Sequence, residues 1–164
     1  MRAALLLLVC LLLSACGGSA EKGHLTLRFD GKPMTFNGPL NAQLGESREH
    51  LVVGGYHTGS SESYDIELWS LGKQIVPGTY VLPGSKLISR YAIQQITDGK
   101  NRGTTIWSAF RPEEDTFSLT IDSIDDWGVK GHFSGRIQLL GGNGSTFIRV
   151  SDGSFAAPYK LQTH

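Results

Sequence analysis

The side chains able to do chemistry are few, and their spacing excludes more than it offers. Cys10 and Cys16 are the only cysteines, so everything after residue 16 is thiol-free. That removes disulfides, cysteine nucleophiles, thiolate zinc sites and iron–sulfur clusters in one step. The five histidines, His24, His50, His57, His132 and His164, show no HxH, HxxxH or HExxH spacing. His50 and His57 could meet across a strand pair, with Glu49 or Asp65 nearby, as a metal or acid–base site. His24 and His132 read instead as solvent-facing strand residues, and His164 as part of a terminal tail.

Serine is plentiful, but no G-x-S-x-G elbow occurs and no strand–turn–helix pattern would present one. Serines in runs such as Ser60-Ser61 are turn formers. Carboxylates cluster at Glu113-Glu114-Asp115 and at Asp122, Asp125 and Asp126. Glycosidases use two carboxylates about 5–9.5 Å apart, yet both clusters sit in turns beside Pro112 or Gly128, where acidic residues are ordinary. The second cluster could hold a calcium ion weakly. The segment Asp98 to Gly103 does not suit calcium, because Lys100 and Arg102 fall at ligand positions. Gly141 to Gly144 reads as a hairpin connection and not a phosphate loop. No cofactor is expected, and no catalytic constellation emerges.

Two tryptophans could act by contact. Trp69 should share the outer face of its strand with Asp65 and Glu67, where an exposed indole could meet a protein or sugar partner. A slipped register would bury it instead. Trp127 falls in the turn Asp125 to Gly128, at a loop tip.

The first sixteen residues differ from the rest. Arg2 supplies a positive charge and Ala3 to Leu13 an unbroken apolar run. That run is too short to cross about 30 Å of hydrocarbon, which needs roughly 20 helical residues, so it reads as an export signal. Leu13-Ser14-Ala15-Cys16 resembles the lipobox of bacterial lipoproteins. The resemblance implies cleavage before Cys16, diacylglycerol on its thiol and acylation of the new amine. Two or three chains, at about 0.8 kcal/mol per buried CH₂, anchor a protein durably. Residue 17 is Gly and not Asp, which by analogy with enterobacterial sorting implies the outer membrane. Whether the periplasmic or the surface face is left open. The expected division is a signal at 1–15, a lipidated terminus and flexible linker at 16–23, and one domain at 24–164.

Past the signal, roughly 150 residues remain, the size of one ordinary domain. The 15 basic and 15 acidic residues become 14 and 15 once Arg2 is cut away. Such a balance leaves no footprint for nucleic acid and no basic run for anionic lipid. The membrane is expected to be reached through the lipid alone.

From residue 24 the hydrophobic period is two. Leu25, Leu27 and Phe29 alternate with Thr26 and Arg28, and Asp30-Gly31 predicts a type I′ hairpin leading to Met34 and Phe36. Further strands are predicted at Leu40 to Leu44, Glu49 to His57, Tyr64 to Trp69, Thr79 to Leu82, Ser89 to Thr97, Thr104 to Phe110 and Thr116 to Ile124. In Val129 to Leu139, the odd-numbered residues face one way, and Lys130, His132, Ser134, Arg136 and Gln138 the other. Thr146 to Val150 returns, and Ser151-Asp152-Gly153 reads as a last turn before Phe155. No window shows helical periodicity with caps. About ten short strands predict an all-β fold, an antiparallel sandwich or barrel.

The turn Asp30-Gly31-Lys32, the segment Pro77-Gly78-Thr79-Tyr80, the strand Gly131-His132-Phe133-Ser134-Gly135 and the ending Asp152-Gly153-Ser154-Phe155 resemble a loose group of uncharacterised bacterial lipoproteins. That resemblance implies an all-β domain over most of residues 25–155 and no particular activity. Three functions fit the sequence: a lipid-tethered binding or interaction module for an envelope protein or glycan, a carrier of a small apolar ligand, and an envelope hydrolase. The first is the expectation, because catalytic groupings are missing. The carrier would need an empty interior, whereas Phe29, Phe36, Phe117 and Phe133 are all predicted to point inward.

Overall fold

A computed structural model describes residues 22–111, 116–141 and 146–159. Cys16, the Glu113-Glu114-Asp115 cluster, most of the Gly141–Gly144 connection and His164 lie outside them. Eleven strands follow in chain order: β1 His24–Phe29, β2 Lys32–Thr35, β3 Leu40–Leu44, β4 His50–Tyr56, β5 Glu62–Trp69, β6 Gly78–Leu82, β7 Lys86–Thr97, β8 Lys100–Ala109, β9 Phe117–Ile124, β10 Gly128–Leu139 and β11 Phe147–Pro158. Among the described residues there is no helix. The expected all-β antiparallel fold is what forms.

The strands make one sheet in the order β2-β1-β11-β10-β8-β7-β5-β4-β3, with β9 and β6 branching from β10. β10 allows this by changing neighbours along its length. Val129 to Gly135 pair with β9, while Gln138 and Leu139 pair with β8. The sheet curls until β3 lies beside β11 without a ladder between them. It is barrel-like but not closed.

Alternation determines what the curl encloses. Tyr64, Ile66 and Leu68 of β5, Leu51 and Val53 of β4, and Phe133 of β10 are all buried. Tyr64 stacks on Phe133 at 5.4 Å between ring centroids, although β7 and β8 separate their strands in the sheet. Phe133 continues to Phe117 and Phe155, and Tyr64 to Phe36. Phe29, only partly buried, meets Tyr91 at 4.5 Å. The interior is thus a chain of rings in contact, each adding about 0.5–1.5 kcal/mol beyond its buried area. Inside it, the Tyr64 hydroxyl has a 2.6 Å hydrogen bond with Ser89. Burial pushes that phenol far above its ordinary pKa.

Glycines make room for two of these rings. Gly131 pairs with Phe155 and Phe133 with Gly153, so each ring lies over the glycine opposite. A Cβ on Gly131 would strike the Thr120 carbonyl oxygen and come within 2.7 Å of the Phe155 ring. One on Gly153 would lie 2.5 Å from the Phe133 ring. The small-large-small pattern is therefore a packing device.

Three sequence expectations are corrected. Ser151-Asp152-Gly153 is no turn; β11 runs through it with a bulge. Between the pairs Phe133–Gly153 and Gly135–Val150, Ser151 and Asp152 together oppose the single residue Ser134. Asp152 takes φ +52° there, and the same Asp-Gly tolerance of positive φ that favours turns also favours bulges. Asp98 to Gly103 is not a long connection either. Asp98 and Gly99, at φ +53° and +70°, form a two-residue turn, and β8 begins at Lys100. Gln138 keeps its place in the outward row but is buried, opposite a buried Ser108 on β8. The Asp30-Gly31 hairpin forms as expected, with both residues at positive φ.

Candidate functional site

With Tyr64, Ile66 and Leu68 packed inward, β5 turns Asp65, Glu67 and Trp69 outward. Register supplies their neighbours. The β4–β5 ladder sets His50 opposite Trp69, and the β5–β7 ladder sets Arg90 opposite Asp65. Five side chains from three adjacent strands thus share one outer surface.

Glu67 is the hub. Its Oε1 accepts from the Trp69 indole N–H at 2.8 Å and lies 3.0 Å from His50 Nε2. Its Oε2 accepts from Arg90 Nη2 at 3.1 Å. Arg90 also reaches Asp65, donating through Nε at 2.8 Å. The His50 ring stacks on the Trp69 indole, 3.7 Å between centroids and 17° between planes. The indole is therefore fixed by an acceptor at its edge and a ring on its face. It remains 38% exposed. The predicted outer-face position holds, and no slipped register buries it.

The two carboxylates respond oppositely to this surface. Burial pushes Glu67 up, but the hydrogen bonds from Trp69 and His50, with the Arg90 and His50 charges, outweigh it and hold its pKa below the usual range. At Asp65 burial is larger and wins over the Arg90 hydrogen bond and charge, so its pKa is raised. Arg90 is held above its ordinary value, chiefly by its bond to Asp65. Beside this network Trp69, Ile88 and Phe110 border a shallow groove of about 290 Å³, floored by Leu82 and Leu87. Phe110 is 41% exposed. The arrangement can present an oriented indole and an apolar slot to a partner. His50, Asp65, Glu67, Arg90 and the Trp69 N–H each have at least one partner within the network.

Of these residues, Trp69 was found from the sequence, while His50, Arg90 and Phe110 as its companions were missed. One signal could have found His50. A hairpin centred on Gly59-Ser60 sets equal steps on either side opposite each other, which brings His50 to Trp69. Arg90 depends on a longer-range pairing, and Phe110 on the end of β8.

The remaining candidates fall elsewhere. Trp127 is half-buried at the bend before β10, with Lys130 Nζ 5.7 Å from its ring centroid. His50 and His57 do not meet: they stand at opposite ends of β4, and His57 packs edge-on to Phe36. Asp125 is spent on the local turn, accepting from the Trp127 and Gly128 amides. Asp122 faces His132 at 3.2 Å, and His24 meets Ser154. Among the described residues, Asp122, Asp125 and Asp126 are not gathered into a metal-holding group. Also among them, no helix is long and apolar enough to cross a membrane. No family model matches this chain, nor does any curated protein or solved structure.

Proposed function

We propose that this chain is a lipid-tethered module of the bacterial cell envelope that works by binding a partner through the Trp69 surface, without catalysis. The observation that carries the binding reading is the fixing of an exposed indole. Contact residues that dominate interfaces are enriched in tryptophan and arginine. They bind best when little side-chain freedom remains to be lost. Trp69 meets both conditions, since Glu67 and His50 hold it in place before any partner arrives.

The tether rests on Leu13-Ser14-Ala15-Cys16 and the apolar run before it. Cys16→Ser should move the protein from the membrane pellet to the soluble fraction; continued sedimentation with membranes would overturn the anchor. Mass spectrometry of the mature N-terminus should find acyl chains on residue 16. A carrier of an apolar ligand, the alternative, would have to displace rings that already stack across the interior. For the binding surface, a photo-crosslinker at position 69 in living cells should capture one or a few envelope proteins or glycans. The same spread of products from position 69 and from exposed Lys100 would sink the assignment.

A further inference from the structure

At the ends of β3, β9 and β11, an open pocket of about 400 Å³ is lined by Leu44, Arg48, Ile124, Asp125, Asp126 and Tyr159. Arg48 comes from the turn between β3 and β4, and the two aspartates come from the turn between β9 and β10. That volume lies within the range of small-molecule sites. We infer that the pocket binds a small zwitterion with an aliphatic side chain, either a free α-amino acid or a short peptide.

Arg48 is the first pointer. Its amide donates to the Gly45 carbonyl at 2.8 Å, and its own carbonyl accepts from the Ile75 amide at 2.7 Å. Between these bonds its backbone takes φ +58°. A residue with a side chain keeps such a value only where its surroundings impose it, and such residues gather at ligand sites. Its Nε is shielded from solvent and has no hydrogen-bond partner, a cost that a bound acceptor would remove. A carboxylate fits a guanidinium best, through two parallel hydrogen bonds.

The aspartates supply the opposite sign. Asp125 is oriented by its turn, its Oδ1 accepting from the Trp127 and Gly128 amides at 2.9 and 3.2 Å. Asp126 beside it is exposed. Although both line the pocket with Arg48, no ion pair joins either of them to it among the described residues. All three charges still reach one ring. Burial pushes the Tyr159 phenol above its ordinary pKa, against the Arg48 charge and with those of Asp125 and Asp126. A ligand carboxylate can therefore meet Arg48 while its ammonium meets the aspartates. Leu44 and Ile124, partly buried against the core, offer aliphatic surface to its side chain.

Ligands of a single sign fit less well. A plain anion would satisfy Arg48 but lie beside two carboxylates. A plain ammonium would suit the aspartates and leave the Arg48 nitrogen without an acceptor. The pocket shares no lining residue with the slot beside Trp69, so its fate is independent of that reading.

The test is isothermal titration of the purified full-length protein in detergent. The ligands are leucine, leucyl-leucine and two leucine analogues with one charge each, isocaproate and isoamylamine. At least one zwitterion should bind, and the amino acid and dipeptide arms report which charge spacing is preferred. Each analogue should bind roughly tenfold or more weakly, the worth of one charge-assisted hydrogen bond. Arg48→Asn, chosen because Asn tolerates positive φ, and Asp126→Asn should each weaken the zwitterion by a similar factor. If Arg48→Asn fails to fold, the exposed Asp126→Asn decides alone. Trp69→Ala should leave binding as it was. The inference is overturned by no binding of either zwitterion at millimolar concentration, by an analogue that binds as tightly as the zwitterion, by full binding in either Asn variant, or by loss of binding in Trp69→Ala.

Discussion

The two outer surfaces of the sheet are built on opposite plans. On β4, β5 and β7 the ladders run without a register shift across His50–Tyr56 and Glu62–Trp69. Charges there meet their opposites: Arg90 lies between Asp65 and Glu67, and Glu67 also serves His50 and Trp69. On β10 and β11 the ladder is interrupted by a bulge, and Arg136 faces Arg149. A regular register lets complementary side chains satisfy one another, producing a surface whose main free feature is an indole. A broken register bends the strand and leaves a hollow lined by Arg136 and Arg149.

The comparison can be broken most severely at the glycines under the second surface. Gly131→Val should cost about 3 kcal/mol or more, because the new side chain meets backbone at Thr120 as well as the Phe155 ring. At this chain length that is on the order of 10 °C in melting temperature. Unchanged melting in a thermal scan would refute the packing account. Glu67→Gln comes next. It removes the shared acceptor charge from His50, Trp69 and Arg90 and should cost about 1–2 kcal/mol in denaturant titration, between the values for exposed and buried pairs.

The same variant carries a pH signature. Glu67 has a lowered pKa when folded, so it stabilises the protein above its unfolded pKa and that contribution is lost as pH falls through the folded value. Asp65 has a raised pKa, so its ionisation costs stability as pH rises, and the cost vanishes in acid. Glu67→Gln should therefore shrink the loss of stability below about pH 4, whereas Asp65→Asn should deepen it. An identical acid limb in both variants would contradict the opposed shifts. Trp69→Ala should be milder, about 1 kcal/mol, since the indole is exposed and contributes one hydrogen bond and one stacked ring. Arg149→Ala should be smallest, within about 0.5 kcal/mol of the parent, because its side chain is exposed. A clear loss of stability would mean that Arg149 has a structural partner.

Local pattern made much of the fold legible. Period-two alternation marks β5 and its inward row, Asp30-Gly31 marks a hairpin because few residues accept positive φ, and Gly131-x-Phe133-x-Gly135 announces a ring needing space. Pairings between distant strands were not legible. Nothing local says that β10 leaves β9 for β8 at Gln138, or that Ser108 and Gln138 become buried there. The bulge at Asp152 was mistaken for a turn because both exploit the same backbone tolerance. For the same reason the site was half seen: the outward position of Trp69 follows from its own strand, but Arg90 arrives through a ladder to β7. The hollow lined by Arg136 and Arg149, which needs three strands and a bulge, left no mark in the sequence.

The branched sheet ends at β2, at β3 and at β6, and the first two edges are defended differently. The outer strand β2 is only four residues long, begins with Lys32 and includes Pro33, which has no N–H to offer a newcomer. At the other rim, β3 is shielded by the end of β11, where Ala157 and Pro158 are buried. Both of these edge strands are short, four and five residues. Copies of this protein held close together are thus hindered from adding strand to strand at β2 and β3, a security that barrels obtain by hydrogen-bonded closure and that this fold obtains there by covering its seam.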